Sequence, residues 1–407
     1  MRKKAPRSRA REKPVRRTRS APAARGPIPY AHQFVDAADV RAVTEVLKSD
    51  WLTTGPKVKE FEDAVADAVG AKAGVAVANG TAALHAAAYA AGIGPGDEVI
   101  VPAMTFAASA NCVLYLGGTP VFADVLEDNL LVDPRQVEEK VTPRTKAIMA
   151  VDYTGQPCDY DALQAIADRH GLTLIADSAH ALGAEYKGRK VGTLADLTTL
   201  SFHPVKHVTT GEGGMVVTDD RELAERMRRF RNHGISVDAR AREERGTWYY
   251  EMVDLGYNYR LTDLQCALGL SQLRKLSWSL ARRRAIAKRY ADAFAKIPGI
   301  DPLGVSPEVL HAYHLYVVRV DPDRIGMDRD TAFRMLRERG IGVNVHYIPV
   351  HLHPYYRKRL GTGPGLCPTA EAGYERILSL PMYPGMTDAQ VGTVIRSVGQ
   401  VARALRP

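Results

Sequence analysis

The chain has 407 residues, 45% of them hydrophobic and 25% charged, the balance of a soluble globular protein long enough for two domains with substantial cores. Its longest apolar stretches, such as residues 82–93, are alanine-rich, broken by Gly and His and shorter than the roughly 18 residues of a membrane span, which argues against a membrane protein. The formal charge of +9 points to a nucleic-acid or anionic partner only until it is located: residues 1–26 hold eleven Lys or Arg against the single acid Glu12, leaving the remainder near neutral.

That Pro-, Arg- and Ala-rich start has no large hydrophobes with which to fold alone and no apolar core of a secretory signal. It reads as a solvated tail, with a nucleic-acid contact as the less favoured reading. The cysteines at 112, 158, 266 and 367 have no paired short spacing, so they are taken as reduced thiols of a cytoplasmic protein.

In residues 35–49, Val40, Val43, Val46 and Leu47 recur at helical spacing behind Asp36 as cap. The loop at Trp51 leads to a second helix, 57–69, ending at Gly70. Strands at 75–78, 98–101, 120–123, 147–151 and 172–176 then alternate with helices at 82–91, 109–116, 134–140 and 160–170. Such alternation predicts a mainly parallel sheet with helices on both faces, an α/β fold. A charged helix follows at 221–230, then a polar, irregular loop at 232–251. A helix capped by Thr262 or Asp263 continues as a long helical stretch to about residue 296, carrying the basic face Arg282-Arg283-Arg284. The rest reads as a strand at 313–320, a helix at 329–339, a strand at 343–347, a His- and Pro-rich loop and a helix at 387–405. The predicted division is a large domain at 27–270 and a linking helix with a smaller α/β domain at 271–407.

The chemistry is carried by Ser201-Phe202-His203-Pro204-Val205-Lys206-His207, lodged between a strand-like segment and the small-residue run ending Gly211-Glu212-Gly213-Gly214. A lysine so placed suits imine formation, since burial disfavours its charged form. Asp177 closes the apolar run 172–176, at the strand end where open α/β sheets present ligand-contacting groups. The pair suits pyridoxal phosphate: Lys206 holds the aldehyde carbon and Asp177 keeps the ring nitrogen protonated. Asn79-Gly80-Thr81-Ala82-Ala83-Leu84, a strand turning into a helix start, supplies a phosphate cradle. The glycine-rich turn at 92–96 follows no strand, so a dinucleotide site is rejected. His346, His351 and His353 lack carboxylate or cysteine partners, and no metal is expected.

Together with Pro102-Ala103-Met104-Thr105-Phe106 and Asp177-Ser178-Ala179-His180, these motifs resemble the DegT/DnrJ/EryC1/StrS family of pyridoxal-phosphate-dependent nucleotide-sugar aminotransferases, from about Ile28 to the C-terminus. The resemblance implies the fold type I, aspartate-aminotransferase-like architecture. It implies that Phe106 covers one face of the cofactor ring, that His180 sits beside the ring hydroxyl and that Ser201 contacts the phosphate. Asn258 would reach the phosphate of the neighbouring subunit, making the active unit a homodimer with shared sites. Thr53, Thr54, His346, Tyr347 and His353 would line the sugar-nucleotide pocket. Trp51-Leu52-Thr53-Thr54-Gly55-Pro56 is most similar to enzymes that aminate C4 of UDP-linked 4-keto-6-deoxy sugars, as in pseudaminic acid biosynthesis or aminoarabinose modification of lipid A, with L-glutamate as donor. Two rivals stand beside this reading. A pyridoxamine-dependent sugar dehydratase would carry histidine in place of Lys206, whereas here the histidine is one position on, at 207. A cofactor-binding regulator would use the basic tail to hold nucleic acid.

Overall fold

A computed structural model describes residues 26–237, 242 and 246–404; residues 1–25, which make up nearly all of the basic tail, lie outside it. Strands β1 (Ala73–Val77), β2 (Glu98–Pro102), β3 (Thr119–Ala123), β4 (Thr145–Val151) and β5 (Thr173–Asp177) are joined through helices. After the two-residue strands β6 (Glu185–Tyr186) and β7 (Arg189–Lys190) come β8 (Leu197–Ser201) and β9 (Gly214–Thr218). The seven long strands form one sheet in the order β1-β9-β8-β5-β4-β2-β3. All pairings from β8 through β3 are parallel; β9 alone runs against its neighbours β8 and β1. The mainly parallel sheet flanked by helices is therefore present, and its exception has a local cause. The chain leaves β8 at Ser201 and returns at Gly214 without a crossover helix, so the next strand can pair only antiparallel.

The central strands are buried along nearly their whole length, as the unbroken Val99-Ile100-Val101 and Leu174-Ile175-Ala176 runs require of a sheet covered on both faces. The helix Gly80–Ala90 is buried almost all round, which its run of alanines permits by letting it lie close against β8 and β9. Asp36 caps the helix Ala37–Leu47 and Thr262 caps Asp263–Leu273, each through a reciprocal capping box.

In the C-terminal part, β10 (Ile300–Pro302), β12 (Tyr316–Val320) and β13 (Ile377–Leu380) form a second sheet, while β11 (Val309–Leu310) pairs with β6. This sheet encloses its own core with Ile286, Tyr290, Phe294, Leu336 and Val394. Ile28 joins that core from the other end of the chain, bridging to Ile341.

Three local expectations are corrected. The single helix foreseen to residue 296 is two, Asp263–Leu273 and Leu276–Phe294, separated at Arg274 and Lys275. The strand expected from 313 begins at Tyr316, because residues 311–315 turn, with Tyr313 at φ 49°. Residues 343–347 make only one bridge, Asn344 to Ser379; the place beside β12 belongs to Ile377–Leu380, four buried residues too short to show a periodicity.

Candidate active site

Because β5 and β8 run parallel, their last residues, Asp177 and Ser201, emerge at one edge of the sheet. The helix Gly80–Ala90 starts at the same edge after β1, and Thr105 and Phe106 follow β2 there. A cavity of about 780 Å³ opens at this edge. Its lining includes Gly80, Thr81, Phe106, Asp177, His180, Ser201 and Lys206, and from the C-terminal part His346 and Tyr347. Thr53, Thr54, Asn258 and His353 do not line it. Thr53 and Thr54 precede the helix Pro56–Val69, His353 opens the helix Pro354–Leu360, and Asn258 is exposed on the segment that follows the apolar stretch 248–255.

At one end of the cavity Asn79 caps the helix Gly80–Ala90, accepting from the Ala82 N–H at 2.8 Å. The helix start presents free N–H groups to the space beside the Ser201 hydroxyl. A Cβ on Gly80 would lie 3.0 Å from Ser201 Cβ and 3.1 Å from its Oγ, so that space is kept by glycine. Gly214 has a different reason to be glycine. A Cβ there would meet the Asn79 carbonyl oxygen at 2.4 Å, because β9 passes directly against the turn that carries the helix start.

At the other end Asp177 is buried, accepting from Ser109 Oγ at 2.6 Å and the Ala179 N–H at 3.2 Å. Burial raises its pKa, against the Ser109 hydrogen bond and the charge of Lys206. The Lys206 amine is pulled down to about 8, chiefly by burial, with Asp177 opposing and Arg283 assisting. Around it lie His180, His207, His314 and His346, all held neutral by burial well into the acid range. His180 Nε2 is 3.1 Å from the Tyr347 hydroxyl and its buried Nδ1 has no partner. His314 Nε2 is 3.5 Å from Lys206 Nζ.

Sequence reasoning missed His314, Ser109, Tyr30 and Asn344, and the basic helix face expected at Arg282-Arg283-Arg284 is corrected at Arg283, whose side chain is fully buried. His314 sits at the mouth of an expected strand, and nothing in the spacing of a lone histidine ties it to a lysine 108 positions earlier. The three histidines weighed as metal ligands go separate ways. His346 pairs with Ser379; His351, against the expectation that it lacks a carboxylate, pairs with Glu371; and His353 stands at the N-cap position of the helix Pro354–Leu360 without a side-chain capping bond.

The DegT/DnrJ/EryC1/StrS aminotransferase family model matches residues 33–399. The chain belongs to this family. It is 46% identical over 378 residues to the spore coat polysaccharide biosynthesis protein SpsC of Bacillus subtilis (strain 168), spanning 92% of this chain and 97% of that one. Among solved structures it resembles Spr1654 of Streptococcus pneumoniae in its PMP form, at 34% identity and TM-score 0.88, over 93% of this chain and all of that one. It also resembles Helicobacter pylori PseC, an aminotransferase involved in the biosynthesis of pseudaminic acid, at 33% identity and TM-score 0.86, over 92% and 99% of the two chains.

Pyridoxal phosphate is the cofactor of this aminotransferase, and the residues present fit it. A buried carboxylate without a full counter-charge, Asp177, suits a protonated ring nitrogen. The unpartnered His180 Nδ1 and the capped helix start beside Ser201 suit a polar ring bearing a phosphate. Phe106, 59% exposed at the lip, leaves a large aromatic face uncovered for a planar ring. Among the described residues no helix is long and apolar enough to cross a membrane.

Proposed function

We propose that this aminotransferase moves the amino group of L-glutamate to the 4-keto carbon of a nucleotide-linked 4-keto-6-deoxy hexose, with UDP as nucleotide, in the cytoplasmic synthesis of a surface polysaccharide. The observation that carries the reading is one cavity in which Lys206, Asp177 and the Gly80–Thr81 helix start share a chamber roomier than a cofactor alone requires. The names of SpsC and PseC support the polysaccharide and amino-sugar setting.

Pyridoxal phosphate, when bound, supplies an aldehyde that carries nitrogen between substrates and a ring that accepts the electron pair of the bond being broken. The chain's residues do the rest. Thr81, Ser201 and the first N–H groups of the helix Gly80–Ala90 hold the phosphate, Phe106 covers the ring, and Asp177 keeps the ring nitrogen charged. Lys206 Nζ, poised near neutrality, takes the proton from the α-carbon of glutamate and later delivers one to C4 of the sugar. His346 and Tyr347 border the sugar, with Thr53, Thr54 and His353 further out toward the nucleotide.

The apolar residues Trp248, Met252, Val253 and Leu255, each more than half exposed, suit coverage by a second copy, whose Asn258 would complete the phosphate site.

The deciding experiment records the absorbance of the purified protein with pyridoxal phosphate before and after L-glutamate, then screens UDP- and dTDP-linked 4-keto sugars as acceptors. Lys206→Ala should lose the visible band of the lysine-linked cofactor. A wild type that never shows that band would remove the role given to Lys206.

A further inference from the structure

Arg283 heads the large side chains that are fully buried, and among the described residues no carboxylate pairs with it. A buried cation without a counter-ion is costly and needs a local reason. Its Nη1 reaches three carbonyls, those of Tyr313 at 3.1 Å, His314 at 3.2 Å and Met382 at 3.1 Å, while its Nε is buried without a partner. That one nitrogen thus ties the helix Leu276–Phe294 to the turn at 311–315 and to the segment after β13.

That turn ends in His314, whose ring is buried against His180 with centroids 4.4 Å apart and whose Nε2 stands 3.5 Å from Lys206 Nζ. A continuous path therefore runs from the guanidinium through the His314 main chain and ring to the amine. We propose that Arg283 is a positioning residue for Lys206, acting through His314: it fixes the turn that carries the ring, and the ring holds the amine. The inference rests on the role given to Lys206 above.

The same placement has an electrostatic consequence. The groups facing Lys206 are Asp177 from the end of β5, Arg283 from the helix Leu276–Phe294, and His180, His207, His314 and His346 from the surrounding loops. Burial keeps the four histidines neutral at working pH, so Asp177 and Arg283 are the two charges that act on the amine. Asp177 favours the ammonium, and Arg283 favours the free base that proton transfer requires.

The test uses the full-length protein as wild type, Arg283→Gln, His314→Ala and the double variant. On cofactor-free protein, the pH dependence of Lys206 acetylation by acetic anhydride is read by mass spectrometry. On the cofactor-loaded protein, the visible band gives the midpoint of its pH titration and the rate of the glutamate half-reaction. Arg283→Gln should raise the acetylation midpoint by about one pH unit. His314→Ala should slow the half-reaction about tenfold, and the double variant should be no slower than the slower single, as two members of one path require. An unchanged midpoint in Arg283→Gln, or losses that multiply in the double variant, would overturn the proposal. If Arg283→Gln does not fold by near-UV circular dichroism, His314→Ala decides alone: wild-type half-reaction rate and midpoint overturn it. A wild type without a visible band fails the Lys206 assignment itself, and the inference falls with it. A wild-type band with unmoved variants fails only the inference.

Discussion

The Ser109 hydroxyl donates to Asp177 Oδ2 across 2.6 Å, so the helix that follows β2 grips the carboxylate at the end of β5. Thr105 Oγ1, 2.7 Å from the same hydroxyl, extends the grip to the segment that carries Phe106. Ser109→Ala leaves a buried carboxylate with the Ala179 N–H as its remaining donor. It should cost about 2 kcal/mol in urea unfolding of the cofactor-free protein and weaken cofactor affinity. Unfolding and affinity both at wild-type level would show that the hydroxyl is dispensable.

Stability should fall on mild acidification. His85 and His346 are held down to about 4 and His311 to about 3, chiefly by burial, with Lys206 assisting at His346 and Arg284 at His311. Their folded pKa values lie below the ordinary 6.5, so the unfolded chain binds more protons, and stability is lost as pH drops from about 6.5 toward 4. Asp152, raised by burial to about 7 from an ordinary 3.8, acts in the opposite sense across this whole window, since its folded form retains a proton that the unfolded form releases. The histidines outnumber it. Urea midpoints should decrease from pH 7 to pH 4.5, and more steeply in Asp152→Asn.

Capture of pyridoxal phosphate should follow the free-amine fraction of Lys206. With its pKa lowered to about 8, the rate of band formation rises through pH 8 and then levels off. A profile still climbing tenfold per unit above pH 9.5 would mean that the amine is not desolvated in solution.

Gly214 is held by backbone. A Cβ there meets Asn79 O at 2.4 Å and Asn79 C at 2.6 Å, atoms that cannot swing aside. Gly214→Ala should destabilise by about 1–3 kcal/mol and loosen phosphate binding at the displaced Asn79–Gly80 turn. Gly92→Ala is the control for a glycine whose added Cβ meets nothing within 4 Å, although its φ of +74° carries its own strain.

Subunit mixing tests the shared site. If Asn258 serves the neighbouring subunit, Lys206→Ala and Asn258→Ala homodimers are each impaired, and their statistical mixture regains roughly a quarter of wild-type activity. No recovery would place Asn258 in the service of its own subunit.

Much of the architecture was legible because the relevant signals are local. Apolar runs such as Val99-Ile100-Val101 report burial on both faces, and caps such as Asp36 and Thr262 report helix starts within a turn. The short strands β6, β7, β11 and β13 were not legible, since two to four residues carry no period; β11 and β13 pair with partners far along the chain, and β7 pairs only with its neighbour β6. The antiparallel course of β9 was equally hidden, being a matter of which neighbour the returning chain meets.

The same division runs through the site. Lys206, Asp177 and the Asn79–Gly80–Thr81 turn stand out in the sequence by themselves, because each lies beside its own strand end in a short motif and parallel strands bring such ends to one edge. Only the tertiary structure decided that Ser109 holds Asp177, that His314 reaches Lys206, and that an arginine with no carboxylate partner among the described residues is buried behind them. Those contacts join residues 68 and 108 positions apart. The first is set by how the helix after β2 lies against the end of β5, the second by how the C-terminal part packs against the sheet edge, and no window of sequence contains either.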